Sequence, residues 1–226
     1  YAIRRNEILD TAQQLIFSKG YEQMTIQDIL DALHISKGAF YHYFASKQNL
    51  LEALIERMVA EIMQVIEPLV ADANLPAIEK FNQFIALTSN WKMERKDYLL
   101  EILRVWYADE NALVRQKLLT CGYAMIAPIL THIITQGVRE GVMHTAYPQQ
   151  VSEVVYSLMY SIGEKIAAIL LSSQPEDDDW PYLQAMTAAY TDAIEKALGT
   201  ASGILNIYDV EILKQWVVPA ATARLT

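Results

Sequence analysis

The sequence predicts an all-α protein in which a small N-terminal head precedes a larger helical body. Apolar residues recur at helical spacing through most of the chain, and no stretch shows the strict alternation of a half-buried strand. The charge is also uneven, because residues 1–50 carry five basic and five acidic side chains, whereas residues 51–226 carry 13 and 22. These observations predict two domains, a head at 1–46 and a body at 47–226.

The head is predicted to contain three helices joined by short turns. The first, near residues 3–19, has an apolar stripe on one face. Thr25 can cap the second helix, and Asp28 three residues later completes a T-x-x-D capping box. Ser36 can cap a third helix over residues 37–43. The stripe of the first helix comprises Ile8, Leu9, Ala12, Leu15 and Ile16.

Two short helices joined by a turn and braced by a longer helix are typical of a helix-turn-helix. At about 100° per residue, Phe40 and Phe44 share one face of the third helix, while Gly38 and His42 lie on the opposite, outer face. Spacing alone also fits a compact three-helix module that does not bind DNA, so both alternatives remain open at this point. We expect the two phenylalanines to be buried against Phe17, Ile26, Leu30 and Leu33.

The body is predicted to be helical throughout, beginning with a fourth helix that Ser46 can cap. Pro68 and the segment 72–76 are expected to interrupt the helices, and Gly137 and Gly141 to flank a turn. The further predicted helices run from about residue 76 through 91, then over 98–107, 112–136 with a kink at Pro128, 148–171, 181–198 before Gly199, and a last stretch containing Leu205 and Trp216.

The sequence also argues against several classes of protein. Its single cysteine, Cys121, cannot form an intramolecular disulfide, and the four histidines lack the i, i+4 pairing of a helical metal site. Nucleotide-binding and serine-nucleophile motifs are absent, so neither an enzyme nor a cofactor is expected. The uncharged run from Leu118 to Val138 is long enough to span a membrane but too polar for lipid. We therefore expect a cytoplasmic protein without a metal site or a membrane span.

The N-terminal run over residues 4–55 is RRNEILDTAQQLIFSKGYEQMTIQDILDALHISKGAFYHYFASKQNLLEALI. It resembles the TetR family of transcriptional regulators, whose head has a helix that ends in an aromatic and a glycine, a threonine-capped helix, and an ordered Ser-x-Gly, Tyr, Phe and Lys series. His34 departs from this pattern, since members commonly have glycine in the turn. The resemblance covers about a quarter of the chain. The matching positions are Phe17, Gly20, Thr25, Ile29, Ser36, Gly38, Tyr41, Phe44, Lys47 and Leu50.

The outer face of the third helix supplies candidate DNA contacts. Gly38 and Ala39 are small enough for the backbone to approach a groove, and Lys37 and His42 can hydrogen-bond a base edge or a phosphate. No acidic side chain occurs from residue 32 to residue 51, so the local charge suits a polyanion.

The resemblance implies further contacts around that face. Family members grip phosphates at positions that correspond to Tyr41, Tyr43 and Lys47 here. Thr25 at its helix N-terminus can donate to another phosphate. Ser36, at the start of the third helix, completes the predicted DNA-contact set.

The resemblance also implies a dimer and an effector pocket in the body. The segments 148–171 and 181–198 match the helices with which family members form a four-helix bundle between two subunits. Small residues on both segments permit close approach: Ser157, Ser161, Ala167, Ala168, Ala185, Ala189 and Ala193. The side chains that could line a pocket for an unknown small-molecule effector are Trp91, Trp106, Tyr107, Tyr123, Met125 and Met159.

The sequence thus favours a ligand-responsive dimeric transcriptional regulator, most simply a repressor that binds a palindromic operator and is released by a small-molecule effector. Two alternatives stay open. One is an all-α small-molecule binding or catalytic domain without operator binding. The other is a DNA-binding activator.

Overall fold

The computed structural model describes residues 2–107, 112–171, 179–208 and 210–217, which form ten helices and, within those ranges, no strand. The all-α prediction is confirmed. The helices are α1 Ala2–Lys19, α2 Ile26–Leu33, α3 Lys37–Tyr41, α4 Lys47–Ala71, α5 Ala77–Glu94, α6 Lys96–Trp106, α7 Ala112–Glu140, α8 Pro148–Leu171, α9 Asp179–Leu198 and α10 Val210–Val217.

The chain divides into two compact units. The first comprises residues 1–63 and 95–119, and the second comprises residues 64–94 and 120–226. The first unit therefore contains the head together with the N-terminal part of α4 and all of α6. The functional boundary after residue 46 remains a prediction.

The core of the first unit is built on the apolar stripe of α1. Ile8, Leu9, Ala12 and Ile16 are fully buried, as the spacing predicts. Phe17, in contrast, is 67% exposed, so the expectation that it packs under α3 is wrong. At about 100° per residue it lies roughly 180° round the helix from Ile8, and the stripe therefore faces away from it.

Phe40 of α3 and Phe44 just beyond it are buried in the same core, as predicted. Their ring centroids lie 5.8 Å apart. Helix α3 ends at Tyr41 rather than at residue 43, but Phe44 N–H still donates to Phe40 O at 3.1 Å. This turn keeps both rings on the inner face although the regular helix has ended. Leu30 is buried beside them, and Ile26 and Leu33 are partly buried.

A guanidinium braces α1 against α4 within the first unit. Arg57 Nη1 lies 2.6 Å from Asp10 Oδ1, and its Nη2 donates to Gln13 Oε1 at 2.6 Å. The two bonds leave from one planar group, so they fix the direction as well as the distance of the contact. Helix α1, which supports the helix-turn-helix, is thereby held on the helix that continues into the second unit.

In the second unit, α8 and α9 pack along each other around Ile162, Leu183 and Met186. Helix α8 is the one helix in the described part of the chain whose length and hydropathy would allow it to cross a membrane, and 17% of its apolar window is buried. That test is also passed by helices of soluble proteins, so it is weak evidence for a span. The uncharged run over residues 118–138, which the sequence analysis compared with a membrane span, lies in α7.

Several predicted helix boundaries were wrong. Pro68 lies inside α4, one turn before its end, where the loss of one main-chain donor does not stop the helix. Gly137 lies inside α7 rather than beside a turn, and a Cβ there would lie 2.5 Å from Met143 Sδ. Gly141, with φ +73°, lies in the turn itself, and Gly137 O accepts from Val142 N–H and Met143 N–H across it. Leu205 is buried in a non-helical segment that precedes α10.

Candidate nucleic-acid interface

Helix α2 begins in the capping box that the sequence predicts. Asp28 N–H donates to Thr25 Oγ1 at 3.1 Å, and Thr25 N–H donates to Asp28 Oδ2 at 2.6 Å. At the other end His34 adopts φ 51° and ψ 44°, the left-handed conformation that closes the turn before α3. Histidine tolerates this region better than most residues, so its departure from the usual glycine is accommodated locally.

Lys19 at the end of α1 anchors this box. Its Nζ lies 2.5 Å from Asp28 Oδ2. The Lys19 ammonium, followed by the hydroxyl and N–H of Thr25, holds the pKa of the Asp28 carboxyl well below its usual range. Thr25 Oγ1 also donates to Asp28 Oδ2 at 2.7 Å. Both donors of Thr25 are therefore engaged by Asp28, and its predicted phosphate contact requires one of them to be released.

Helix α3 begins at Ser36, whose Oγ accepts from Ala39 N–H at 3.2 Å. Lys37 and Gly38 are exposed in its first turn, and Ala39 is half-buried. The Lys37 ammonium lies 6.0 Å from the centroid of the Tyr41 ring, a cation–π arrangement that keeps the amine beside the exposed ring. The outer face of α3 thus presents a cation, an aromatic hydroxyl and an accessible backbone on one surface.

The predicted contacts beyond α3 continue this surface. His42 is exposed and meets Tyr43 edge-on with ring centroids 5.0 Å apart, while Tyr43 is half-buried against the core. Lys47 Nζ lies 4.3 Å from the centroid of the Tyr21 ring and donates to Glu22 O at 3.3 Å. The Lys47 ammonium is therefore positioned next to the α1–α2 turn. All of the predicted DNA contacts lie in the first unit, and their roles stay predictions.

One basic side chain near this surface was not among the contacts predicted from the sequence. The Arg5 guanidinium carbon lies 5.3 Å from the centroid of the Phe44 ring, and its side chain is half-buried. Arg4 beside it pairs with Glu7 at 2.6 Å. The sequence shows Arg4 and Arg5 side by side, but the spacing of residues along α1 does not predict that Arg5 lies beside Phe44, just beyond α3.

The second unit has a groove of about 730 Å³ between α5, α9 and the segment that precedes α10. Among the predicted pocket residues whose side chains the structure describes, none lines this groove. Tyr123 instead meets Tyr156 edge-on at 5.6 Å between centroids and is 36% exposed. Trp91, Tyr107, Met125 and Met159 are half-buried, and the side chains of Trp106 and Cys121 lie outside the described residues. The predicted effector set remains a prediction.

Two family descriptions match the chain. The description "Bacterial regulatory proteins, tetR family" matches residues 8–54, which span α1 to the start of α4. The description "Tetracyclin repressor-like, C-terminal domain" matches residues 103–164. The first of these contains the capping box, the left-handed His34 and the outer face of α3. The second extends the match into the body, where the sequence itself showed no motif.

Individual proteins are also similar to the chain, in sequence over part of its length or in fold. The chain is 37% identical over 60 residues to the transcriptional repressor NemR of Escherichia coli K12, which is 26% of this chain and 30% of NemR. A regulator from Pectobacterium atrosepticum has the same fold with a TM-score of 0.61 at 19% identity, covering 87% and 95% of the two chains. SmeT of Stenotrophomonas maltophilia, in complex with triclosan, gives 0.58 at 15% identity, covering 91% and 97%. Matches to the relatives in sequence span about half of their length or less, from 28% to 53%.

Proposed function

Because the chain belongs to the TetR family of bacterial regulatory proteins, we propose that it is a ligand-responsive, dimeric transcriptional repressor in the cytoplasm. One observation carries the proposal. In α3 the inner face is closed by Phe40, while Lys37, Gly38 and Tyr41 are exposed, and the sequence has no carboxylate from residue 32 to residue 51. A short helix with that division between its faces, capped at its N-terminus by Ser36, is suited to enter a DNA groove. The family's members are regulators and not enzymes.

The contacts divide into two chemical roles. Lys37 on α3 and His42 just beyond it are the proposed base-edge contacts, because both are exposed and Gly38 and Ala39 are small enough to leave room for the groove wall. Tyr41, Tyr43 and Lys47 are the proposed phosphate contacts, through their hydroxyl and ammonium donors. The caps at Thr25 and Ser36 fix the points at which α2 and α3 begin. They serve this purpose with or without a direct contact to DNA.

Lys47 gives the sharpest test of the phosphate role. We expect Lys47→Ala to weaken DNA binding and to reduce the slope of log Kd against log salt concentration by about 1, because one phosphate contact is lost. Fluorescence anisotropy over a salt series measures both quantities. Lys196→Ala, which removes an exposed lysine from α9, is the control and should change neither. A Lys47→Ala protein that binds as tightly as the parent at every salt concentration would show that the role is misassigned.

Selection of bound sequences from random DNA tests the whole proposal. A helix-turn-helix recognises only a few base pairs, so a dimer is expected to enrich a palindrome with half-sites about one helical turn apart. Enrichment of a palindrome would support head, dimer and operator together. Failure to enrich any sequence would favour the alternative of a small-molecule binding domain without operator binding.

The faces of α8 and α9 support the dimer. Ser157 and Ala168 on α8 and Ala185 and Ala189 on α9 are exposed, and Val154 on α8 is 49% exposed. Small residues let helices approach closely, and an exposed apolar helix in a soluble protein is explained when a second copy covers it. The low burial of α8 thus fits a protein interface better than a membrane.

We expect Ala189→Glu to convert the dimer into a monomer, because a carboxylate on this face would be buried without a partner. Ala188→Glu, one residue earlier and about 100° round the helix, is the matched control and should remain dimeric. Sedimentation at micromolar concentration measures the mass of each. A parent protein that sediments as a clean monomer, or a control that dissociates equally, would count against the interface.

The effector-binding site is the part of the proposed function that is assigned to the fewest specific contacts. SmeT, a repressor of a multidrug efflux pump, is known in complex with triclosan, so a helical body of this fold can hold a small organic molecule. The aromatic and sulfur side chains predicted for a pocket remain the candidates in this chain. The groove between α5 and α9 in the second unit is a different site from this candidate pocket.

A further inference from the structure

The groove between α5 and α9 has a preformed third wall. Asn82 of α5 accepts from Asn206 N–H at 2.8 Å and donates to Ile204 O at 3.1 Å. Glu195 of α9 accepts from Gly203 N–H and Leu205 N–H, each at 3.0 Å. Two side chains, one from each helix, therefore hold the main chain of residues 203–206, which we name the strap. Because these bonds engage the strap's backbone, its position is set by the helices.

Glu195 is the unusual member of this arrangement. Its side chain is buried, with the residue 4% exposed, yet it lines the groove. Its two hydrogen bonds come from uncharged N–H groups, and among the described residues no basic side chain forms an ion pair with it. A carboxylate removed from water is costly unless a positive charge balances it. Glu195 thus provides a reason for a cation to enter the groove.

The charges of the other lining residues also favour a cation in the groove. Among the described residues, the lining includes two further carboxylates, Glu79 and Asp192, and no lysine, arginine or histidine. Asp192 is paired with Lys196 outside the groove, and Glu79 accepts from Gln83 Nε2 at 2.8 Å. Among the described lining residues, Glu195 is therefore the one buried carboxylate, and its charge is balanced by hydrogen bonds alone.

The floor of the groove is apolar. Ile85, Leu205 and Ile207 line it and are buried, at 5%, 4% and 3% exposed. The ring of Tyr208 stands beside them, half-buried, and burial together with the neighbouring Tyr190 raises the pKa of its hydroxyl above its usual range. An occupant that matches the whole lining carries a positive charge on an apolar body, and an aromatic face adds an attractive surface for that charge.

The groove also stays open in the dimer proposed above. At about 100° per residue, most of the groove-lining residues of α9, among them Thr191 and Glu195, lie roughly 100–160° round the helix from the centre of the face that carries Ala185, Ala189 and Ala193. Asp192 lies about 60° from that centre. A second copy that covers the alanine face therefore leaves the part of the groove wall around Glu195 uncovered and lies closer to Asp192.

We propose that this groove binds an organic cation with an apolar body, such as an alkyl diamine, with its ammonium at Glu195. The groove shares no residue with the α3 surface or with the predicted aromatic pocket. The inference rests on the proposed function only in making this cation an effector, and binding itself requires no DNA.

The test is calorimetric titration of the full chain, without DNA, with 1,8-diaminooctane and with 1,8-octanediol as its uncharged match. We expect the diamine to bind and the diol not to bind. Glu195→Gln should weaken diamine binding about tenfold, the loss of one charge-assisted contact. Glu79→Gln, at an exposed position on the groove wall, should weaken it about threefold.

Glu67→Gln on α4 is the control, because it removes the same unit charge from an exposed position outside the groove and should leave binding unchanged. No binding of the diamine, equal binding of the diol, or equal losses in Glu79→Gln and Glu67→Gln would each overturn the proposal. If Glu195→Gln alters the fold, as circular dichroism would reveal, the Glu79→Gln and Glu67→Gln comparison still decides. A diamine that binds without changing operator affinity would confirm the site and refute its role as an effector site.

Discussion

Replacing Phe40 by alanine is expected to lower the free energy of unfolding by about 3–5 kcal/mol, the usual cost of removing a fully buried phenylalanine. Phe40 is 0% exposed and packs against Phe44 in the core that α1, α2 and α4 share. The cavity would lie directly beneath the proposed DNA-contact face. Operator binding should therefore be lost together with stability, since the helix that presents Lys37 and Tyr41 would no longer be held.

Phe17→Ala is the matched control for that substitution. The same side chain is removed, but from a position that is 67% exposed, so the free energy of unfolding should change by no more than about 0.5 kcal/mol. Chemical denaturation followed by circular dichroism measures both variants. Equal losses for the two variants would mean that Phe17 is buried after all, as the sequence had suggested, and that the α1 face described here is wrong.

The difference between these two phenylalanines shows what the sequence can and cannot predict about the head. The capping box of α2, the cap of α3 and the burial of Phe40 depend on residues within a few positions of one another, and all were predicted. The burial of Phe17 was predicted wrongly. At about 100° per residue Phe17 lies roughly 180° round α1 from Ile8, which puts it outside the apolar stripe.

The body was predictable in its helices but not in its polar contacts. Helical spacing places α5, α8 and α9 within a few residues of their observed bounds. Asn82, in contrast, bonds residues 122 and 124 positions further along the chain, and Glu195 bonds the strap around a turn. Such residues look like ordinary surface side chains in a sequence, because only the tertiary fold decides which polar groups become buried. The groove was missed for that reason.

Lys80 is the clearest case of a buried polar residue with no signal in the sequence. The residue is 1% exposed, and its Nζ donates to Val70 O at 2.9 Å and to Gln136 Oε1 at 2.8 Å. Gln136 Nε2 in turn donates to Glu140 Oε1 at 2.6 Å, and Glu140 accepts from Ala77 N–H at 2.8 Å. One ammonium therefore joins the C-terminal end of α4, the start of α5 and the end of α7 within the second unit.

We expect Lys80→Met to lower the free energy of unfolding by about 3 kcal/mol. Methionine keeps most of the volume, so the change reports the polar contacts: two partly buried acceptors lose a charged donor, at about 1–3 kcal/mol each. The opposing effect is relief from burying the ammonium, which can reach several kcal/mol. We expect the loss to be larger, because Val70 O lies in the last turn of a helix, where the partial charge is negative and favours an ammonium beside it.

Denaturation of Lys80→Met beside Lys196→Ala separates these effects. Lys196 is 75% exposed and pairs with Asp192 on the helix surface, so its loss should cost no more than about 0.5 kcal/mol. If Lys80→Met is as stable as the parent, the cost of desolvating the ammonium equals the free energy that its hydrogen bonds contribute. If Lys80→Met is more stable than the parent, that cost is the larger of the two. The expected result instead makes Lys80 the group that fixes the end of α4, the helix that continues from the first unit into the second.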